Sequence, residues 1–118
     1  TNGSYLAQMR EFEQEEVSEA MKPLQARAAK MADRFEEATN YVKDAKDQEL
    51  HDICARHLME MAADVIMLHL IVRNATVAPE MFEKSARVYA NFVEAEIAKH
   101  HAWVMNMTAE QLGDYRHA

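Results

Sequence analysis

Residues 48–74, QELHDICARHLMEMAADVIMLHLIVRN, decide the fold class. Cys54, Leu58, Met61, Val65, Leu68 and Val72 recur at alternating intervals of four and three. That spacing lines one side of a helix, because each residue turns by about 100° about the axis. A strand would alternate every second residue and would end sooner. The stretch contains no Gly or Pro to interrupt it. Asp47, just before it, predicts an N-cap, since its carboxylate can accept the orphan amide hydrogens of a first turn.

The same four-three rhythm continues on both sides. Upstream, Leu24, Ala28, Met31, Phe35, Ala38, Val42 and Ala45 predict a helix over residues 24–45, with Arg27, Lys30, Arg34, Glu37 and Lys43 facing water. Downstream of Pro79, the positions Phe82, Ala86, Tyr89, Val93, Glu96, His100, Trp103 and Met107 predict a helix over residues 80–107. A first helix is expected over residues 5–21, with Leu6, Met9, Val17 and Ala20 on its apolar face. Phe12, Glu13 and Glu16 break the strict spacing there. Pro23 then ends or kinks it, since Pro lacks an amide hydrogen and restricts Lys22. Thr108 followed by Gln111 reads as a capping box for a last turn that ends near Gly113, ahead of a frayed terminus. The connections are short, about three residues near Lys46 and about five between Ala75 and Pro79, and short connections make successive helices antiparallel neighbours. The expectation is an all-α protein, an up-down four-helix bundle with a short C-terminal helical turn, forming one domain over residues 1–118.

Composition agrees. The 118 residues include two Gly, two Pro and nine Met. So little glycine argues against a nucleotide-binding α/β domain, whose phosphate loops need close backbone approach. A net charge of −7 argues against nucleic acid, which calls for clustered Lys and Arg, and against anionic membrane surfaces. No apolar run reaches a membrane span, and residues 65–72 are interrupted by His69. One cysteine, Cys54, forbids an internal disulfide and, with no visible signal peptide, places the expectation in the cytoplasm. The opening Thr1-Asn2-Gly3-Ser4, without Met, reads as the boundary of a longer chain, although processing leaves the same trace.

The sequence carries no catalytic signature. Six His and twenty acidic residues raise the question of a metal. Di-iron bundles use Glu-x-x-His on two helices and zinc proteases use His-Glu-x-x-His; neither pattern occurs. Glu96 and His100, four apart, are the nearest pair, and an internal hydrogen bond accounts for them more simply than a metal does. His100 and His101 diverge by about 100° on a helix and cannot chelate together. His69, within an apolar run, reads as a core or interface histidine, and Cys54 as an inert buried thiol. The acidic run from Glu13 to Glu16 reads as a solvated helix face. Trp103, Tyr89 and Phe92 read as core or interface anchors. No catalytic, cofactor-binding or metal-ligating residue is assigned.

The third helix is more apolar than one stripe requires. Met59, Ala63, Ile66, Met67, Leu70 and Ile71 lie outside its seam, and only Glu60, Asp64 and His69 interrupt the cover between Leu58 and Val72. Either the first helix and the tail hide this second face, or it is a contact surface. In the second case a two-fold homodimer with Met59, Ile66, Met67 or Leu70 near its interface is expected.

Three segments together take the reading beyond a bundle of unspecified role. They are FEEATNYV (residues 35–42), DQELHDICARHLMEMAADVIMLHLIVRNA (residues 47–75) and MFEKSARVYANFVEAEIAKHHAWVMN (residues 81–106). Their arrangement of apolar and small residues resembles the extra helical domain at the C-terminus of some bacterial acyl-CoA dehydrogenases, from about residue 24 onward. The resemblance implies a parent flavoenzyme that binds FAD and oxidises an acyl-CoA to the 2,3-enoyl-CoA in fatty-acid metabolism. A glutamate base would take the α-proton while hydride passes to the flavin. Those steps belong to the upstream core, so the resemblance implies no catalytic residue and no cofactor in this segment. It implies instead an assembly or docking role against that core. The alternative is a stand-alone helical interaction or regulatory module. A metal-binding bundle is a third, minor reading.

Overall fold

The computed structural model describes residues 2–116 and is built of five helices in chain order. They are α1 (Asn2–Phe12), α2 (Lys22–Ala45), α3 (Gln48–Val77), α4 (Pro79–Met105) and α5 (Ala109–Arg116). No strand occurs among the described residues. The three long helices pack mutually, and α1 lies against α2 and α3 as the short fourth member of an up-down bundle. The body is elongated, 52 × 24 × 16 Å, because α3 alone, at 30 residues, spans about 45 Å at 1.5 Å per residue.

The seam expected on α3 is the core. Cys54, Leu58, Met61, Val65, Leu68 and Val72 are all buried, with Leu50, Ala62, His69 and Ala75 beside them. The Asp47 carboxylate caps the helix, accepting from the amides of Glu49 (3.0 Å) and Leu50 (3.2 Å). On α2, Leu24, Ala28, Met31, Phe35, Ala38 and Val42 are buried as the spacing demands, and Ala32 joins them. Ala45, the last expected seam residue, is exposed at the helix end. Lys46 then takes a left-handed conformation (φ 51°, ψ 38°), the usual way to end a helix, but one that favours glycine.

Five expectations need correction. The first helix stops at Phe12, not near Met21. Continuing it would stack Glu11 on Glu15 and Glu15 on Glu19, like charges four residues apart. Residues 13–21 instead form a turn held from elsewhere. The Gln25 side-chain amide donates to the carbonyls of Phe12 (3.1 Å) and Glu15 (3.0 Å), and the Ser18 amide donates to Thr76 Oγ1 (3.1 Å). The acidic run is therefore no helix face: Glu13 pairs with Arg10, and Glu15 with Arg73.

On α4 the buried stripe is Ala86, Ala90, Val93, Ile97, His100 and Val104. It shares Ala86, Val93 and His100 with the expected one, but Tyr89, Glu96 and Trp103 sit only half-buried at its border. Small and branched residues take the centre, where helices approach most closely, and the aromatic side chains flank them. The connection between α3 and α4 is the single residue Ala78, held extended by the proline that follows it. Finally, the C-terminal element is a helix of eight residues, not one turn. Thr108 Oγ1 accepts from the Gln111 amide (3.2 Å), Leu112 is buried, and Arg116 pairs with Glu49. Gly113 lies inside this helix rather than at its end. Part of the expected frayed terminus, residues 117 and 118, lies outside the described residues, as does Thr1.

Candidate functional site

Two features of α3 and α4 stand apart from ordinary core packing: an exposed apolar face and a histidine pair, His100 buried and His57 half-buried. On α3, Met59, Ile66, Met67 and Leu70 fall on one side, as a turn of about 100° per residue requires. Met59 and Met67 are 48% and 47% exposed. Ile66 and Leu70 are half-buried. Among the described residues, α5 meets α3 near its start, where Arg116 pairs with Glu49, away from Ile66, Met67 and Leu70.

The face continues across a groove onto α4. Ile71 of α3 and Lys84, Ser85, Val88, Tyr89 and Phe92 of α4 line a shallow hollow of about 580 Å³. Val88 is 70% and Phe92 54% exposed, while Tyr89 stacks on Phe92 at 6.0 Å. Phe92 also borders the next hollow along the groove, lined by Glu60, Ala63, Asp64, Glu96 and His100. Exposed apolar side chains that adjoin one another in this way mark contact surfaces more often than isolated ones do. The sequence pointed to the α3 half of this face. It did not single out Val88, because an isolated valine off the seam carries no signal until the groove places Ile71 opposite it.

The histidine pair lies on the inner side of the same two helices. His100 is buried, and its Nε2 lies 3.0 Å from Glu60 Oε2 and 3.6 Å from Glu96 Oε2. Its Nδ1 lies 2.8 Å from His57 Nδ1. The two histidines share one hydrogen between their Nδ1 atoms, and the Glu60 carboxylate lies within ion-pair distance of His100 Nε2. His57 in turn stacks on Trp103 (4.0 Å between ring centres, 20° between planes). Burial, and then the neighbouring His100, push the His57 pKa down. Glu96 is held below the usual carboxylate range by its hydrogen bond from Lys99. Burial, reinforced by Glu96, pushes Asp64 up. The expected hydrogen bond between Glu96 and His100 is not formed: at 3.6 Å the two are in ion-pair range only, and His100 Nε2 lies nearer Glu60. No three potential ligands converge to hold a metal among the described residues. His101 turns away, toward Glu37 on α2. His57, whose part the sequence did not reveal, is an unmarked histidine off the seam.

His69 sits in the core against Phe12, with ring centres 5.2 Å apart and planes nearly parallel at 6°. Its Nε2 has no hydrogen-bond partner, and burial lowers its pKa to about 4. The Cys54 thiol is buried and burial pushes it up, which disfavours the reactive thiolate. No described helix is long and apolar enough to cross a membrane.

The helix N-termini bear on phosphate ligands, since exposed first-turn amides are what such ligands use. The Asp47 carboxylate occupies the first turn of α3. The first turn of α4 carries Pro79 and Glu80, one lacking a donor and the other repelling an anion. These residues do not fit the pyrophosphate of a dinucleotide cofactor.

Comparison with known proteins gives the chain its family. Residues 1–112 match the family model described as acyl-CoA dehydrogenase C terminal. No match was found among curated proteins. Among solved structures, the chain is similar to the acyl-CoA dehydrogenase family protein from Porphyromonas gingivalis. The two share 36% identity with a TM-score of 0.84, over 90% of this chain and 91% of that one. The helical bundle, the matched span and this degree of identity together lead to one conclusion: the chain belongs to the acyl-CoA dehydrogenase C-terminal family.

Proposed function

We propose that this chain is a non-catalytic assembly and docking domain of an FAD-dependent acyl-CoA dehydrogenase. The parent enzyme would oxidise an acyl-CoA to the 2,3-enoyl-CoA in fatty-acid metabolism, with flavin and acyl-CoA held by the catalytic core upstream. The observation that carries this reading is the apolar face formed by Met67 and Ile71 of α3 with Val88 and Phe92 of α4, which stays largely exposed among the described residues. Such a face suits protein contact, and its adaptable methionines suit a partner surface. The capped or proline-bearing helix starts support leaving the cofactor to the core. The buried, unbridged Cys54 is at home in a reducing compartment, consistent with a cytoplasmic enzyme.

The experiment is removal of residues 1–118 from the parent enzyme. The remaining core is expected to keep its flavin and its dehydrogenation of acyl-CoA while its assembly state changes. A core whose assembly is unaffected, or a separate 118-residue chain that binds flavin stoichiometrically, would overturn the reading. A stand-alone module, by contrast, would have no such parent, and a reading frame beginning near Thr1 would favour it.

A further inference from the structure

The groove between α3 and α4 carries opposite charge at its two ends. Lys84 lines the end near Ala78 and makes no ion pair among the described residues. Beyond Phe92, the other end gathers Glu60, Asp64 and Glu96. Lys99 answers Glu96 and His100 answers Glu60. Asp64 has no ion pair among the described residues, although it is half-buried. Between the charged ends the lining is Ile71, Val88, Tyr89 and Phe92. A surface with this polarity is complementary to itself when turned end for end.

We propose that the occupant of this groove is a second copy of the chain, docked antiparallel about a two-fold axis that passes between Val88 and Phe92. The proposal rests on the reading of this face as an assembly surface, and it names the partner and the register. With the axis at residue 90 of α4, Val88 of each copy meets Phe92 of the other. At 1.5 Å per residue, Lys84 and Glu96 lie about 9 Å along the helix on either side of the axis. Each Lys84 therefore reaches the other copy's Glu96 and Asp64. Ser85 and Ala95 also face one another, and small side chains there allow the helices to approach. A parallel arrangement would set Lys84 against Lys84 and acid against acid, so charge selects the antiparallel one. The same surface patch is used twice, as a closed two-fold dimer requires. The Asp64 carboxyl, pushed up by burial and by Glu96, gains in this arrangement an ion-pair partner that the described residues of one chain do not give it.

Sedimentation of the 118-residue chain across a concentration series, at low and high salt, tests the arrangement. Helicity of every variant is checked by circular dichroism. The wild-type chain should dimerise, and more weakly at high salt. Phe92→Glu should be monomeric. Lys84→Glu, an exposed substitution the fold tolerates, should weaken the dimer about tenfold or more at low salt. Lys84→Glu combined with Asp64→Lys should recover most of that loss, because each new glutamate meets a new lysine across the axis. Mixing the two single variants gives the same test in trans. A wild-type chain that stays monomeric overturns the proposal. So does a dimer indifferent to Phe92→Glu and Lys84→Glu, or a charge swap without recovery. The second of these leaves the assembly reading intact on another face, while removal of the domain from the parent enzyme judges that reading separately.

Discussion

His69 couples the stability of the bundle to pH, and substitution by leucine isolates the effect. The imidazole is 2% exposed, stacks on Phe12, and has no partner for Nε2. Burial holds its folded pKa at about 4, against 6.5 when free. A histidine with a depressed folded pKa binds its proton more readily in the unfolded chain. Stability is therefore lost as pH falls through 6.5 toward 4, and levels off below that. At 1.36 kcal/mol per pH unit, His69 accounts for about 2–3 kcal/mol of lost stability by pH 4.5. Leucine is close in volume, favours helix and leaves no polar atom unpaired. The assay is denaturant unfolding of wild type and His69→Leu from pH 8 to pH 4.5. Glu15, Glu49 and Glu96 have lowered pKa values, held down by hydrogen bonds from Arg73, Arg116 and Lys99 respectively, so both proteins lose stability as these protonate. The difference between the two curves isolates the histidine. His69→Leu should match or exceed wild type at pH 8, and its advantage should grow by about 2–3 kcal/mol toward pH 4.5. Parallel curves would refute the reasoning.

Other substitutions probe the remaining parts. Val65, fully buried in the middle of α3, should not tolerate aspartate. Val65→Asp buries an unpaired carboxylate and is expected to cost more than about 4 kcal/mol, read as lost helicity or a collapsed unfolding midpoint. A stable variant would disprove the seam. Lys46→Gly should stabilise by about 1 kcal/mol, since it relieves a left-handed residue with a Cβ (φ 51°); unfolding in denaturant measures it, and a destabilised variant would count against the turn. Trp103 is the only tryptophan and stacks on His57. Its fluorescence should therefore titrate with a midpoint below 6.5, following the lowered His57 pKa. His57→Gln should abolish that transition.

The sequence made the long helices legible where apolar spacing was unambiguous. Every expected seam residue of α3 is buried, because Leu58, Val65, Leu68 and Val72 have only one face on which they can cluster. On α4 two stripes fitted the same text. One ran through Tyr89, Glu96 and Trp103, the other through Ala90, Ile97 and Val104. Periodicity cannot choose between stripes one residue apart, and only packing against α2 and α3 selects the smaller residues. The end of α1 was hidden because the contacts that fix it come from far along the chain, from Gln25 and Thr76. For the candidate site, an excess of apolar residues on α3 announced Met59, Ile66, Met67 and Leu70. Its continuation onto Val88 and Phe92 depends on the groove that two antiparallel helices make, which no single segment encodes. The His57–His100 contact spans 43 residues and likewise exists only in three dimensions.

The most direct test of the assembly role is solvent access to the α3–α4 face in the intact parent enzyme, read by hydroxyl-radical footprinting. In the single chain Met81 and Tyr115 are 72% and 60% exposed, and Val88 and Phe92 are 70% and 54% exposed. If the face is an assembly surface, Val88 and Phe92 should be oxidised several-fold more slowly in the intact enzyme than in the 118-residue chain diluted until it is monomeric, and helix α5 should serve as the unprotected reference at Tyr115. Equal oxidation of Val88 and Phe92 in both would show that the face stays open to water and would contradict the assembly role.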